Sequence, residues 1–220
     1  MESTEPKRQQ ESEGPIRELQ ILLNGLKGKF RWGKGYNFLE DIKESIAEHI
    51  LACFKYIRIW NKDFGLLTAK EEILTLYTIL YHDLDEYKYG DISHKEQEKM
   101  TAQKRKDYEK GKVVTIHELV DKSKIPIKAL DLYENFENRH NENFFQTLET
   151  TNRKVAVLAG IADCFQGNEF FLKHSQTQDI IRNSKNTIRL KKEIELLSRA
   201  EENPEWKEKI NKFGNYFLSL

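Results

Sequence analysis

A short acidic stretch, Tyr81 to Asp91, holds the densest set of chemically capable side chains in this 220-residue protein. Four carboxylates and one imidazole fall within its eleven residues. Adjacent His82 and Asp83 side chains point about 100° apart on a helix, so they can converge on one point only beside its last turn. A divalent cation would hold them there, since both are common metal ligands. The alternative is that the pair closes a helix and the neighbouring acids are solvated.

Glu86 follows His82 by four residues. That spacing is about one helical turn and predicts that both side chains lie on the same side. A carboxylate there can act as an acid or a base on water beside a metal without being a ligand. Asp85 is a competing base, but it points elsewhere on a helix and ranks second.

Two further candidate ligands lie on apolar helical patterns. His49 falls on a stripe that includes Ile46, where it is either a core histidine or a ligand shared with the helix of the His-Asp pair. Asp163 lies inside the apolar segment Val155 to Phe165. An unpaired carboxylate there would cost several kcal/mol, so it requires a cation or a metal. The alternative for Asp163 is a helix-terminal or surface position.

A glycine-rich segment upstream, Phe30 to Tyr36, contains adjacent Arg31 and Trp32. A guanidinium can fork onto a phosphate while a neighbouring indole offers a flat apolar face. The alternative is an aromatic anchor that packs a loop onto the core beside an exposed arginine. The segment lacks the glycine-lysine-serine/threonine arrangement of a phosphate-binding loop.

The elements that must position these residues are helices, because the apolar residues recur at helical spacing and no alternating strand pattern occurs. The sequence therefore predicts an all-α fold. Helices are predicted from Pro15, across Leu39–Trp60, from capping boxes at Thr68 and Thr115, from Pro126, over Phe144–Phe165, over Gln176–Ala200 and after Pro204. The polar run from Ser93 to Lys112 predicts a solvated helix or a mobile loop.

The domain organisation follows from the same patterns. Residues 1–14 are polar and predict a disordered tail, with neither a signal peptide nor a membrane anchor. Residues 15–200 form one helical domain, and residues 201–220 form a helical extension that packs on the core or on a second subunit.

Composition limits the function classes. Acidic and basic residues balance at 36 each, which removes the electrostatic case for a nucleic-acid polymer or an anionic membrane as partner. No apolar run approaches the roughly 20 residues that span a bilayer. Cys53 and Cys164 lie in apolar patterns without ligand-like spacing. We therefore expect two reduced, buried thiols in a cytoplasmic protein.

The order of His49, His82-Asp83 and Asp163 across successive helices resembles the metal-binding pattern of the HD-domain phosphohydrolases. The segment Tyr81 to Ile92 is similar to the metal-and-catalysis segment of the HD-domain 5′-deoxynucleotidases. In that family a Glu stands three residues after the Asp, and a Gly-Asp pair follows shortly.

Other segments extend the resemblance over roughly residues 16 to 175. Glu44 to Ile50 resembles the family segment around the first His, and Arg31-Trp32 stands upstream of it as an Arg-Trp pair does in the family. Glu134 to Glu137 resembles an acidic aromatic helix that precedes the final Asp.

The resemblance implies an HD-type helical bundle with one buried divalent ion, Mn, Co, Zn or Mg. Its implied ligands are His49, His82, Asp83 and Asp163. The implied roles of the remaining residues are Glu86 as catalytic acid or base, Arg31 on the substrate phosphate, Trp32 beside the sugar and Asp91 on a sugar hydroxyl.

The implied reaction removes the 5′-phosphate of nucleoside monophosphates, with deoxynucleotides as the expected substrates, and a homodimer is the implied assembly. One alternative is an HD phosphohydrolase acting on nucleoside triphosphates or cyclic nucleotides. The other is a non-catalytic helical protein that binds a nucleotide or a protein partner.

The sequence departs from the family pattern around Asp163. Gly160 stands where a Lys is common, and Gln166 stands where an acidic residue is frequent. The separation between Glu137 and Asp163 is also longer than in the family, which indicates an insertion near residues 140–151.

Overall fold

The computed structural model describes residues 24–29, 44–86, 92, 97–122, 128–174 and 180–218. The regular elements in these ranges are helices, so the predicted all-α fold is confirmed. In chain order they are α1 (Ile46–Phe64), α2 (Ala69–His82), α3 (Ala102–Asp121), α4 (Lys128–Glu137), α5 (Glu142–Thr147), α6 (Thr150–His174), α7 (Ile180–Ser198) and α8 (Pro204–Leu218).

Capping residues fix the start of the two helices that carry the candidate histidines. The Ser45 side chain accepts the N–H of Glu48 at the start of α1, and Thr68 accepts the N–H of Glu71 at the start of α2. Each glutamate side chain accepts the cap residue's own N–H in return, so both are complete capping boxes. The box predicted at Thr68 is confirmed. Helix α1 ends at Gly65, whose φ of 62° is in the left-handed region that glycine adopts without strain.

Helix α6 is the central element of the core and packs against α1, α2, α4 and α7. Residues 155–164 are buried without interruption, as expected for a helix that is apolar on all sides. Asp163 lies at the end of this buried run and is 8% exposed. The alternative that placed Asp163 on the surface is therefore wrong.

The C-terminal helix α8 packs on the core of its own chain. Phe213 and Phe217 contact Trp60 of α1 with ring centroids 5.4 and 5.1 Å away. Phe217 also contacts Phe165 of α6 at 5.1 Å. These aromatic contacts anchor α8 across the two helices that carry His49 and Asp163.

Helix α3 corrects one predicted helix start. Its N-cap is Thr101, and the helix runs without interruption through Thr115, whose hydroxyl donates to the carbonyl of Gly111 at 2.9 Å. The capping box predicted at Thr115 is therefore wrong. The threonine–glutamate spacing also occurs inside helices, where the hydroxyl bonds back to the preceding turn. The charged residues before Thr115 form helix because Lys, Arg, Glu and Gln are good helix formers.

The helix predicted over Phe144–Phe165 is interrupted by a short extended segment. Helix α5 ends at Thr147, and α6 begins at Thr150 after Leu148 adopts an extended conformation. The Arg153 side chain donates to the carbonyl of Leu148 at 2.8 Å, so the break is satisfied locally. The short helix α5 lies in the segment where the sequence indicated extra chain length.

Only some of the remaining predictions fall on residues that the structure describes. The tail at residues 1–14 and most of the helix predicted from Pro15 lie outside the described residues. Cys53 and Cys164 are buried and form no disulfide, as predicted. Among the described helices, none combines the length and the apolar character that crossing a membrane requires.

Candidate metal centre

Three helices bring four side chains to one buried point. Helix α1 supplies His49, the end of α2 supplies His82 and Asp83, and α6 supplies Asp163. Nε2 of His49 is 3.5 Å from Oδ2 of Asp83 and 3.3 Å from Oδ1 of Asp163. Nε2 of His82 is 3.1 Å from Oδ1 of Asp83 and 3.9 Å from Oδ1 of Asp163. Donor atoms of His49, His82 and Asp83 lie within 4.8 Å of one another, close enough to share one ion.

Gln166 fixes the orientation of the His49 ring. The amide oxygen of Gln166 is 2.5 Å from Nδ1 of His49, while its amide nitrogen donates to the Glu44 carboxylate. An amide oxygen only accepts hydrogen bonds, so Nδ1 of His49 carries the proton. In the neutral ring Nε2 then presents its lone pair to the two aspartates, which is the tautomer a metal needs.

His82 is held in the same tautomer by the backbone. Its Nδ1 lies 2.6 Å from the carbonyl oxygen of Ile79, one turn earlier in α2. A carbonyl only accepts, so Nδ1 donates and Nε2 is the nitrogen directed at Asp83. Metal-binding histidines usually have this second hydrogen bond, and both histidines here possess it.

The charge balance of the centre favours a cation. His49, Asp83 and Asp163 are only 0%, 5% and 8% exposed, so two carboxylates are buried together beside two imidazoles. The guanidinium of Arg189 on α7 lies 3.4 Å from Oδ2 of Asp163 and is half exposed. Burying two carboxylates at one point is costly, and a divalent cation between them would offset that cost. Two imidazoles and two carboxylates are a donor set that suits a divalent metal such as Mn, Co or Zn.

The backbone around Glu86 differs from the predicted helix. Helix α2 ends at His82, and the chain continues in tight turns in which Glu86 N–H donates to the Asp83 carbonyl at 3.2 Å. The predicted α-helical face shared by His82 and Glu86 is therefore not formed, because the helix has ended before Glu86. Glu86 is half-buried, and its action beside the metal remains a prediction.

Asp85 is buried among contacts that hold helices together, which is not the environment expected of a catalytic base. It is 1% exposed, and its Oδ2 contacts Lys112 of α3 at 2.9 Å and the Tyr133 hydroxyl of α4 at 3.0 Å. Burial raises the pKa of Asp85 to about 6, although Lys112 acts in the opposite direction. These contacts tie α3 and α4 to the turn that carries Asp83, which agrees with ranking Asp85 below Glu86.

Three predicted substrate-binding residues, Arg31, Trp32 and Asp91, lie outside the described residues. Their assigned contacts with phosphate and sugar therefore remain predictions.

A buried cation behind the centre was not anticipated from the sequence. A side chain at Gly160 would meet the Arg139 guanidinium, whose Nε lies 2.6 Å from the position of a Cβ. Arg139 also pairs with buried Glu193 of α7 at 2.8 Å and stacks 4.0 Å over the Phe136 ring. That ring in turn lies 4.6 Å from the ring of His82. The departure at Gly160 thus makes room for an arginine from the end of α4.

Two residues that contact the candidate ligands, Gln166 and Arg189, were not predicted from the sequence to do so. Gln166 was noted only as a departure from a pattern, yet it orients His49. Arg189 belongs to a charged helix face that has no sequence signal beyond its charge, and only the packing of α7 on α6 brings it to Asp163.

Comparison with known proteins identifies the family. A family model described as HD domain matches residues 24–189, a span that contains the four converging side chains. The chain belongs to the HD-domain family, which indicates a metal-dependent phosphohydrolase in general. No curated protein matched the chain, and no solved structure did.

Proposed function

We propose that the protein removes the 5′-phosphate from nucleoside monophosphates, with deoxynucleotides as the preferred substrates. The observation that carries the proposal is the convergence of His49, His82, Asp83 and Asp163 in one buried centre of an HD-domain chain. Support for the substrate class comes from the resemblance of Tyr81 to Ile92 to the 5′-deoxynucleotidase segment.

A divalent ion held by those four residues would supply Lewis acidity to a phosphoryl oxygen. The protein groups prepare the site for it, because Nδ1 of His49 donates to Gln166 and Nδ1 of His82 donates to Ile79, which leaves both Nε2 atoms available to the ion. The buried aspartates match the charge of the ion, which offsets the cost of their burial.

Glu86 is the proposed acid and base. Water attacks phosphorus, the bond between phosphorus and the 5′ oxygen breaks, and the water proton passes through the Glu86 carboxylate to the leaving 5′ oxygen. Arg31 holds the phosphate in this proposal. Arg189, beside Asp163 and half exposed, adds a second guanidinium against the charge that develops on the phosphoryl oxygens.

Phosphate release from a panel of ribo- and deoxynucleoside 5′-monophosphates, with Mn or Co present, tests the proposal. We expect turnover of deoxynucleoside monophosphates, and a loss of at least about a hundredfold in kcat for Glu86→Gln. Glu109→Gln is the matched control, since Glu109 is exposed on α3, and it should retain full activity.

Absence of turnover with every monophosphate, or full activity of Glu86→Gln, would contradict the proposal. The same panel extended to nucleoside triphosphates and cyclic nucleotides separates the other HD-phosphohydrolase activities. If only triphosphates or cyclic nucleotides were hydrolysed, the protein would still be a metal-dependent phosphohydrolase, but the proposed monophosphate substrates would be wrong.

A further inference from the structure

The turn from Asp83 to Glu86 carries a proposed metal ligand at one end and the proposed acid and base at the other. Helix α2 ends before this turn, whose backbone bonds from Leu84 to Tyr81 and from Glu86 to Asp83 are both 3.2 Å, the long end of the normal range. Its two middle residues are anchors, since Leu84 is fully buried and Asp85 is 1% exposed. The positions of the two functional carboxylates therefore depend on how these anchors are held.

Side chains from two other helices hold the polar anchor, Asp85. Its Oδ2 contacts Nζ of Lys112 on α3 at 2.9 Å and accepts from the Tyr133 hydroxyl of α4 at 3.0 Å. Its Oδ1 is buried and has no hydrogen-bond partner among the described residues. Both contacts therefore meet on one oxygen, and a buried carboxylate whose other oxygen is unsatisfied depends strongly on them.

Lys112 supplies the positive charge on which this arrangement depends. Its side chain is only 18% exposed, and burial of most of a lysine side chain usually requires a partner. Burial acts to lower the pKa of Lys112, but attraction to the Asp85 and Glu137 carboxylates outweighs it and raises the pKa. Lys112 is therefore an ammonium at neutral pH, paired with a carboxylate that lies two residues from Asp83.

Docking of α3 on α4 does not by itself explain this lysine. Ile116 and Leu119 are 0% and 4% exposed, and they lie one and two turns after Lys112 on the same face of α3. Burial of these apolar side chains stabilises the docked helix, whereas desolvation of an ammonium is costly unless it is paired. Lys112 extends the buried face of α3 to the turn that carries Asp83.

We propose that Lys112 is a positioning residue for the metal centre and acts through Asp85. The ion pair holds the turn in the geometry in which Asp83 binds the ion and Glu86 transfers a proton. The part that concerns Glu86 rests on the proposed function, whereas the part that concerns Asp83 rests on the metal centre alone. Contacts that orient a metal ligand typically change metal affinity or activity by about 10–100-fold, which sets the expected size of the effect.

Calorimetric titration of the metal-free, full-length protein with Mn tests the proposal without any substrate. Lys112→Met should weaken Mn binding by at least about tenfold, because Asp85 loses its charged partner and the turn no longer fixes Asp83. Lys112→Arg keeps the positive charge and should restore most of the affinity. Lys110→Met is the matched control, since Lys110 is exposed on the same helix, and it should bind Mn as the unaltered protein does.

Two further variants separate positioning from a general loosening of α3. Ile116→Val removes one buried methyl group and should lower the midpoint of urea unfolding, but it leaves the ion pair intact and should not change Mn affinity. Tyr133→Phe removes the hydroxyl that contacts Asp85 and should weaken Mn binding severalfold. The visible spectrum of the Co-loaded protein, which depends on ligand geometry, should change in Lys112→Met and not in Ile116→Val.

Kinetics at saturating Mn test the part that concerns Glu86. Lys112→Met should lower kcat at least about tenfold with less than about a twofold change in KM, because Glu86 acts on the chemical step. Absence of turnover by the unaltered protein, together with weaker Mn binding in Lys112→Met, would reject the proposed function and leave the role toward Asp83 supported.

Unchanged Mn affinity in Lys112→Met, or an equal loss of affinity in Lys112→Met and Ile116→Val, would overturn the proposal. If Lys112→Met does not fold, Tyr133→Phe decides the question, and unchanged Mn affinity in that variant would overturn it. Failure of the unaltered protein to bind Mn or Co would overturn the proposal together with the metal centre.

Discussion

Replacing Gln166 by Met should weaken metal binding without removing any proposed ligand. The side chain is 4% exposed, and its amide oxygen accepts from Nδ1 of His49 at 2.5 Å while its nitrogen donates to Glu44. Met has a similar volume but no acceptor of comparable strength, so His49 loses its tautomer preference and Glu44 loses a buried donor. Loss of such a hydrogen bond to a metal-binding histidine typically reduces metal affinity about 10–100-fold, or about 1.4–2.7 kcal/mol.

Calorimetric titration of metal-free protein with Mn measures this change directly. Gln103→Met is the matched control, because Gln103 is exposed on α3, and it should keep the affinity of the unaltered protein. At saturating metal, Gln166→Met should recover most of its kcat, since the ligands and Glu86 remain. An unchanged Kd in Gln166→Met would refute the reasoning that links Gln166 to the metal through His49.

Three further substitutions test the packing behind the centre. Glu193→Gln should destabilise the protein by about 3–5 kcal/mol in urea unfolding at pH 7, because it leaves the buried Arg139 guanidinium uncompensated. Gly160→Ala should cost about 1–3 kcal/mol, since its Cβ would lie 2.6 Å from Nε of Arg139; the same change in an Arg139→Met background should be neutral or stabilising. Lys112→Met should cost about 1–3 kcal/mol in the same assay, because buried Asp85 loses its charged partner.

The Glu193 prediction has a defined pH dependence. Burial acts to raise the pKa of Glu193, but the hydrogen bonds from His140 and Arg139 outweigh it and hold the pKa below its ordinary value. A carboxylate with a lowered folded pKa contributes stability above its unfolded pKa and loses it as the pH falls through the folded value. The gap between Glu193→Gln and the unaltered protein should therefore shrink as the pH falls below about 4.5.

An equal stability gap at pH 7 and below pH 4 would contradict that assignment. Stability of Gly160→Ala equal to or above that of the unaltered protein would show that Arg139 can move away without loss. A stable Lys112→Met variant would show that Asp85 needs no cation.

Much of the centre could be predicted because burying a polar side chain in an apolar helical pattern costs free energy unless the side chain binds a partner or a common ion. His49 and Asp163 were recognisable on that basis, and the structure brings both to the His82-Asp83 pair. The start of α2 was predictable because a capping box is a local signal that depends on residues three apart.

The remaining features depend on tertiary packing, which leaves weak signals in one sequence. The break at Leu148 has no proline or glycine to mark it, and the apolar pattern continues across it. The role of Gln166 depends on the distance between α1 and α6, and that of Arg189 on how α7 lies against α6. Gly160 was a visible anomaly in an apolar helix, but its partner Arg139 comes from a different helix end.

Elemental analysis of protein purified without chelator tests the central claim most directly. We predict close to one transition-metal ion per chain in the unaltered protein and in His117→Ala, whose histidine is exposed on α3, and a large loss of metal in His49→Ala and His82→Ala. A metal-free unaltered protein that also fails to bind added Mn, Co or Zn, or equal metal content in all four proteins, would contradict the account.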